Sequence, residues 1–251
     1  MIYFAFTLFT LLILFIAFYQ WQYFLIFSPT YYRSEELPEN AEILEVMSFD
    51  GKALEGVVYT PQNFTNRLLF FAGRSHDAVG LIEKLSCSYP QTQIFAFNYR
   101  SYGKSEGKIS EKILYKDGVQ IAELIKKHYG EFYLLGFSLG SSIAAYVASK
   151  ISVKGLFLVG AFDSVGALAK HKYKLSKPLR YKFSTKEFVK EVDAKTALFA
   201  SVDDEVTYIQ NARSLKSAIK NLVRYEEYVG LTHKELLWDE RVIQSIQEEM
   251  T

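Results

Sequence analysis

The hydrophobic pattern divides the chain into two unequal parts. No charged side chain occurs in residues 1–32, and the segment 1–27 is apolar at nearly every position. A helix over residues 1–27 would rise about 40 Å, more than the ~30 Å hydrocarbon core of a bilayer. Amphipathic aromatic side chains gather towards its end, as they do where a membrane meets water: Tyr19, Trp21 and Tyr23. The pattern predicts a single transmembrane anchor over residues 1–27, because a buried helix that is apolar on every face needs a core that encloses it completely.

The flanks of the predicted span bear on its processing and orientation. No basic segment precedes the apolar stretch and no small-x-small site precedes Ser28, which disfavours a cleaved signal peptide. After the span, Arg33 is the only positive side chain before Lys52. The positive-inside rule therefore has few residues on which to act. The low number of Lys and Arg residues in this flank favours an extracytoplasmic position for the rest of the chain.

Beyond a polar connector over residues 28–40, short apolar runs alternate with amphipathic segments. Strands are predicted over residues 43–49, 53–59, 67–71, 93–97, 132–135, 156–159, 197–200 and 222–229, and helices over 79–85, 110–128, 139–148, 207–219 and 235–247. The first two strands form a hairpin at Asp50-Gly51, a two-residue turn signal. Strands separated by helices of this size imply a mostly parallel sheet with helices on both faces. One α/β domain is therefore predicted over residues 41–251.

Composition and charge exclude several classes of protein. The balance of 29 Lys+Arg against 28 Asp+Glu leaves a net charge of +1, which gives no electrostatic case for nucleic-acid binding. A hydrophobic content of 49% excludes a disordered chain. The single cysteine, Cys87, excludes an internal disulfide framework and a cysteine-based zinc site, and the four histidines are too scattered to indicate a metal centre. No metal and no cofactor are expected.

The strongest chemical signal is the segment 136–140, which reads Gly-Phe-Ser-Leu-Gly between a predicted strand and a predicted helix. In that context a G-x-S-x-G pattern is typical of a sharp turn that lifts the serine hydroxyl above the sheet. The two glycines lack a Cβ that would clash with the adjoining strand and helix. Ser138 is therefore the predicted nucleophile. The simpler alternative is a strand-to-helix turn that Ser138 caps.

A serine nucleophile needs a base, and a histidine base needs an acid that orients it. His233 is the best candidate base because it follows the last predicted strand on a short loop, whereas His128 ends a helix and His171 lies in a Lys-rich insertion. The acid is expected after the strand over residues 197–200. Two acids stand there, Asp204 and Asp203, of which we favour the first and hold the second in reserve. Asp163 is a distant third candidate.

An acyl-transfer site also needs backbone donors for the oxyanion that forms during the reaction. One is expected to be the N–H of Leu139, which follows the nucleophile. The other is expected from the loop after the strand over residues 67–71, where we assign the N–H of Arg74. In the same loop Gly73 permits a close turn and His76 is a candidate pocket residue.

From about Tyr31 to its C-terminus, the sequence resembles the α/β-hydrolase superfamily. More narrowly, it is similar to small, single-pass membrane-anchored abhydrolase-domain proteins that are related to serine-peptidase-like hydrolases. The segment 97–107, FNYRSYGKSEG, resembles that family's D-Y-R-G-Y-G-x-S-E-G block, and GFSLG resembles its nucleophile elbow. Asp204-Glu205-Val206 resembles the D-E-V of its acid loop, which favours Asp204 over Asp203, and His233 matches its catalytic histidine.

The sequence departs from the family at two points. Residues 72–74 read Ala-Gly-Arg where the family usually has H-G-N, and residues 200–201 read Ala-Ser where it usually has H-G. The resemblance also implies a short cap over about 163–193. Residues 170–195 carry nine Lys/Arg against three acids, with interleaved aromatic and aliphatic side chains. Such a surface would suit anionic headgroups or an acidic substrate, although an ordinary solvated cap surface explains it equally well.

These observations favour a membrane-anchored serine hydrolase that cleaves ester or thioester bonds through an acyl-enzyme on Ser138. Its expected partners are the lipid bilayer and a small-molecule or lipid-like acyl substrate, because the anchor keeps the site near lipid. Two alternatives stay open. One is a serine peptidase or amidase of the same fold, and the other is a non-catalytic membrane-tethered binding protein, to which the altered 72–74 loop lends its only support.

Overall fold

The computed structural model describes residues 2–31, 37–174 and 179–251 of the 251-residue chain. Its helices are α1 (Ile2–Ile26), α2 (Ile82–Ser88), α3 (Glu111–Tyr129), α4 (Leu139–Ala148), α5 (Val165–Tyr173), α6 (Thr185–Val189), α7 (Ile209–Lys216), α8 (His233–Leu236) and α9 (Glu240–Glu249). Its strands are β1 (Ala41–Met47), β2 (Ala53–Tyr59), β3 (Asn66–Phe71), β4 (Thr92–Phe97), β5 (Tyr133–Phe137), β6 (Gly155–Val159), β7 (Lys195–Ser201) and β8 (Leu222–Tyr228). A short 3-10 helix, Val79–Leu81, precedes α2.

The eight strands form one sheet in the order β1-β2-β4-β3-β5-β6-β7-β8. Strand β2 is antiparallel to both of its neighbours, and every other pair is parallel. Successive side chains of β3 belong alternately to two separate core clusters, as expected when both faces of a sheet are covered. Helices α3 and α4 supply one cluster, and α2 and α9 supply the other. The predicted α/β-hydrolase fold with a mostly parallel sheet is therefore confirmed.

Two predicted local features differ in the structure. The hairpin connection is longer than two residues: Ser48 N–H donates to the Lys52 carbonyl at 2.9 Å, and Gly51 occupies the turn at φ 73°. The single helix predicted over 235–247 is two helices. Thr232 and Glu235 form a reciprocal capping box that starts α8, and the Asp239 side chain caps α9 separately. Capping side chains thus divide a segment whose apolar pattern is continuous.

Helix α1 is exposed along most of its length, and residues Tyr3–Ile26 are long and apolar enough to cross a membrane. Its C-terminal end packs on the rest of the protein. Phe27 is 1% exposed, with its ring 4.9 Å from Tyr181 and 6.1 Å from Phe183. The Oε1 atom of Gln22 accepts a 2.8 Å hydrogen bond from the backbone N–H of Arg180. The helix therefore joins the fold through a packed contact.

The predicted connector and cap are only partly described. Of the connector over residues 28–40, the positions 32–36 lie outside the described residues, and so do 175–178 of the cap over about 163–193. The described part of the connector is held in place, since Gly103 N–H donates to the Thr30 carbonyl at 3.0 Å and Ser28 N–H donates to the Tyr102 hydroxyl at 3.0 Å. The described part of the cap contains α5 and α6.

Candidate active site

Ser138 stands in the turn between β5 and α4 with φ 53° and ψ −117°. This is a strained conformation for a residue with a side chain, and such strain costs on the order of 1–3 kcal/mol. The structure around the turn sustains it, because Ser138 N–H donates to the Val159 carbonyl of β6 at 3.0 Å. The turn thus directs the hydroxyl away from the strand, at the carboxyl end of the central strands.

The two flanking glycines allow the turn to pack. A Cβ on Gly136 would lie 2.6 Å from the carbonyl oxygen of Gly140, and a Cβ on Gly140 would lie 2.0 Å from the carbonyl oxygen of Phe71. Both are contacts with backbone, which cannot move aside as the end of a side chain can. The close approach of α4 to β3 and β5 therefore requires glycine at both positions.

His233 is the first residue of α8 and reaches Ser138 from the far end of the sequence. Its Nε2 atom lies 2.9 Å from the Ser138 Oγ. The imidazole stacks on Phe137 at a ring distance of 4.9 Å, and a Cβ on Gly160 would lie 3.0 Å from the imidazole Cε1. Packing against Phe137 and Gly160 therefore restricts the orientation of the ring.

Asp204 completes the chain of hydrogen bonds. Its Oδ2 lies 2.7 Å from His233 Nδ1 and also accepts from the Thr207 hydroxyl at 2.6 Å. Its Oδ1 accepts the backbone N–H groups of Val206 and Thr207 at 2.8 and 2.7 Å. Burial alone would raise the pKa of Asp204, but the hydrogen bonds from His233 and Thr207 outweigh it and hold the pKa below its usual value.

The other two candidate acids are engaged elsewhere. Asp203 is exposed, and its Oδ2 accepts the backbone N–H of Gly230 at 2.7 Å, so it braces the loop before α8 without facing the imidazole. Asp163 accepts from the Ser214 hydroxyl at 2.6 Å and lies 3.7 Å from the Lys186 ammonium group. Of the three carboxylates, the structure puts Asp204 against His233.

The ionisation of Asp204 decides the roles of the imidazole nitrogens. A carboxylate can only accept hydrogen bonds, so the neutral ring has its N–H at Nδ1, and this group donates a hydrogen bond to Asp204. Nε2 then has a free lone pair, which accepts a hydrogen bond from the Ser138 hydroxyl. All three side chains are buried, with 8%, 6% and 4% exposure for Ser138, His233 and Asp204, so little water competes for these bonds.

One assigned oxyanion donor directly follows Ser138 in the sequence, and the other lies in the loop after β3. Leu139 begins α4, so its N–H has no acceptor within the helix. Within residues 2–31, 37–174 and 179–251, neither this group nor the N–H of Arg74 has a hydrogen-bond acceptor. The carbonyl of Arg74 accepts from the Tyr102 hydroxyl at 2.5 Å, and its guanidinium group donates to the Leu25 carbonyl in the last turn of α1.

His76 lies beside the same turn. Its ring is 5.7 Å from that of Phe137, and a Cβ on Gly73 would lie 2.9 Å from its Nδ1. That Nδ1 is buried and has no hydrogen-bond partner in the described part of the chain. Burial, together with repulsion from His233 and Lys234, lowers the pKa of His76 from 6.5 to about 4. The ring is therefore neutral at physiological pH.

Some residues at the site were not predicted from the sequence. Thr207 donates two hydrogen bonds to Asp204, Gly160 leaves room for His233, and the Arg74 side chain bonds to α1. Tyr102, which donates to the Arg74 carbonyl, was not predicted either, although it lies in the 97–107 block of the family resemblance. Among the described residues, no group of three or more His, Cys, Asp or Glu side chains is arranged to hold a metal ion.

Comparison with known proteins relates the chain to a fold family. The chain is similar to three solved structures: the esterase Pf2001 of Pyrococcus furiosus (TM-score 0.68, 15% identity, 90% of this chain and 96% of that chain), the alpha/beta hydrolase GrgF of Penicillium sp. sh18 (0.68, 12%, 85% and 98%), and XC6422 of Xanthomonas campestris, described as an a/b serine hydrolase without lid (0.63, 13%, 86% and 96%). No curated protein matches the sequence. A family model for the alpha/beta hydrolase fold matches residues 71–227, more than half of the sequence. On this match, the chain belongs to the alpha/beta hydrolase fold family.

Proposed function

We propose that this protein is a membrane-anchored serine hydrolase that cleaves ester or thioester bonds through an acyl-enzyme on Ser138. One observation carries the proposal: a buried, continuous chain of hydrogen bonds from Ser138 Oγ to His233 Nε2, at 2.9 Å, and from His233 Nδ1 to Asp204, at 2.7 Å. Membership of the alpha/beta hydrolase fold family supports hydrolytic chemistry at this position.

The first half of the reaction acylates the serine. As Ser138 Oγ attacks the substrate carbonyl carbon, its proton moves to His233 Nε2, and Asp204 stabilises the imidazolium that forms. The carbonyl oxygen becomes an oxyanion, which accepts hydrogen bonds from the N–H groups of Leu139 and Arg74. When the carbonyl re-forms, the bond to the leaving group breaks. Nε2 returns its proton to the departing alcohol or thiol, and the acyl group remains on Ser138.

The second half releases the acid. A water molecule gives a proton to His233 Nε2 as its oxygen attacks the acyl carbon, and the same two N–H groups stabilise the second oxyanion. Collapse of this intermediate breaks the bond to Ser138 Oγ, which recovers its proton from Nε2. The cycle consumes one water, returns every side chain to its starting state and uses no metal or organic cofactor.

Helix α1 is the proposed anchor. Its 25 residues would rise about 37 Å, enough to cross the ~30 Å hydrocarbon core of a bilayer. The poverty of the following flank in Lys and Arg supports an extracytoplasmic domain. Protease protection of the full chain in intact and permeabilised cells tests this orientation: digestion of the domain in intact cells supports it, and protection until permeabilisation contradicts it.

The enzyme assignment is tested by active-site labelling. The detergent-solubilised full chain is treated with a fluorophosphonate, and labelling is compared between wild type, Ser138→Ala and Ser149→Ala. Ser149 caps the other end of α4, and among the described residues it bonds only to the backbone of that helix, so it is a matched control. We expect wild type and Ser149→Ala to be labelled and Ser138→Ala to be folded, by circular dichroism, but unlabelled.

A folded wild type that resists the probe would contradict the proposal and favour the binding-protein alternative. Labelling that persists in Ser138→Ala would show that a different residue is the nucleophile. Turnover of p-nitrophenyl esters, acyl-thioesters and aminoacyl amides then distinguishes an esterase from a peptidase, since we expect the first two classes to be hydrolysed and the amides to be resistant.

A further inference from the structure

A cavity of about 340 Å³ lies between α1, α5 and two loops of the candidate active site. Its volume falls within the roughly 300–1,000 Å³ that small-molecule sites occupy. Most of its wall is apolar, with Phe18, Trp21 and Leu25 of α1 on one side and Val165, Leu168 and Ala169 of α5 on the other. An apolar ligand is therefore the kind that would fill it.

The α1 side chains that line the cavity form a single stripe. They occupy positions 18, 21, 22, 25 and 26, which is the i, i+3, i+4, i+7, i+8 spacing of one helical face. The α5 side chains occupy positions 165, 168, 169 and 172, which follow the same spacing. Two helical faces thus oppose each other across the cavity. Neither α1 nor α5 is a strand of the sheet.

The cavity borders both loops that carry the proposed chemistry. Arg74, which supplies one proposed oxyanion donor, lines it, and so does Val206, whose N–H donates to the Asp204 carboxylate at 2.8 Å. The cavity therefore reaches the loop that holds one proposed oxyanion donor and the loop that holds the proposed acid. The leaving group of an ester whose acyl chain fills the cavity would extend away from it, beyond the reacting carbon.

The position of the cavity along α1 matches the surface of a membrane. About 20 helical residues fill the hydrocarbon core, so a span that starts at Ile2 reaches the interface near Trp21. Trp21 is 53% exposed there, as suits an amphipathic ring at an interface. The lining positions 18–26 straddle this level. An acyl chain that passes directly from the bilayer into the cavity would leave few methylene groups in contact with water. Exposure of those groups to water would cost free energy.

We infer that α1 is a wall of the substrate site as well as an anchor, and that the cavity takes the acyl chain of a membrane-resident fatty-acyl ester or thioester. The inference rests on the proposed function, because the acyl chain is useful there only if Ser138 attacks its carbonyl. It extends that function by naming the substrate class and the route of entry. Under this assignment, bulk added to the cavity excludes long acyl chains and spares short ones.

The test compares two esters on the full chain reconstituted in phosphatidylcholine vesicles, p-nitrophenyl palmitate and p-nitrophenyl acetate. Ala169→Phe places a ring in the cavity, and Ala169→Leu is a smaller change should the first variant fold poorly. We expect palmitate turnover to fall by about tenfold or more, since small changes in an apolar pocket alter specificity by that order. Acetate turnover and fluorophosphonate labelling should stay within about twofold of wild type.

The matched control is Phe24→Ala, because Phe24 lies on α1 outside the lining stripe and is 69% exposed. It should leave the palmitate-to-acetate ratio unchanged. The inference is overturned if the Ala169 variants lose turnover of both esters equally, or if wild type hydrolyses the acetate ester and not the palmitate ester. In either case, fluorophosphonate labelling of Ser138 would still support the proposed function. If wild type is not labelled and hydrolyses neither ester, the proposed function itself is contradicted.

Discussion

The guanidinium group of Arg74 donates a hydrogen bond to the carbonyl oxygen of Leu25, in the last turn of α1. A positive side chain is favourable at this end of a helix, where the last carbonyls lack partners within the helix. Arg74 stands where the resembled family usually has the asparagine of H-G-N. The substitution that distinguishes this loop thus ties the proposed oxyanion donor to the apolar helix.

Replacing Arg74 with alanine keeps the backbone N–H and removes this tie. We expect kcat on p-nitrophenyl acetate to fall about tenfold through a less well-placed donor, short of the roughly 10²–10³ lost when an oxyanion donor is removed. Arg180→Ala is the control, since the Arg180 guanidinium also bonds to α1, at Gln20, and no hydrogen bond joins it to the described residues 72–75. Equal effects of the two variants on kcat would show that the hydrogen bond from Arg74 to α1 does not position the oxyanion donor.

The two adjacent carboxylates of the acid loop should differ sharply in importance. Asp204→Asn removes the charge that stabilises the imidazolium and favours the wrong tautomer, so we expect kcat to fall by about 10⁴. Asp203→Asn changes an exposed side chain that accepts the Gly230 N–H, and its loss should be far smaller. Steady-state kinetics of the two purified variants decides the matter. A larger loss in Asp203→Asn would exchange their roles.

His76 should make the fold sensitive to acid. Its pKa is about 4 in the folded protein against 6.5 for the ordinary side chain, so the unfolded chain binds the extra proton between these values. Stability therefore falls as the pH drops from 6.5 towards 4, by up to about 3 kcal/mol from this group, and is unaffected by it above 6.5. Urea unfolding across this range should show a shallower pH slope in His76→Leu.

His128→Gln is the control for that measurement, because His128 is exposed near the end of α3. Its slope should match wild type. If His76→Leu retains the full wild-type slope, the acid sensitivity belongs to another group.

The glycines of the nucleophile turn should tolerate no methyl group. Gly140→Ala puts a Cβ 2.0 Å from the Phe71 carbonyl oxygen, and the backbone shift that relieves it should cost about 1–3 kcal/mol or more. Gly166→Ala is the matched change in α5, where the new Cβ would meet only ordinary contacts at 3.5 Å. Since alanine suits a helix better than glycine, that variant should gain up to about 1 kcal/mol. Denaturant midpoints of the solubilised full chain test the pair, and similar midpoints would contradict the packing argument.

The sequence revealed features whose causes are local. The 136–140 turn depends on five consecutive residues and on the missing Cβ atoms of its glycines, and the strand pattern reflects which positions face a core. Asp203 and Asp204 are alike in sequence. In the structure Asp204 accepts hydrogen bonds from Thr207 and faces His233, whereas in the sequence only the family resemblance favoured Asp204 over Asp203.

Other features depend on contacts between distant segments and left no readable trace. The lining stripe of α1 is invisible in the sequence, because nearly every position of that helix is apolar and no face stands out. The bond from Arg74 to α1 joins residues 49 positions apart. The division between α8 and α9 is different, because its causes are local: the capping side chains Thr232, Glu235 and Asp239 indicate it, although the apolar pattern continues without a break.

The burial of Phe27 has a mechanical consequence. Its ring packs against Tyr181 and Phe183, and Arg180 bonds to Gln20 and Gln22, so these contacts oppose rotation of α1 against the rest of the protein. The tilt of α1 in a bilayer would then set the tilt of the whole globular part, and with it the height of Ser138 above the lipid. A change in membrane thickness that tilts α1 would then tilt the globular part with it and change the access of substrates to Ser138.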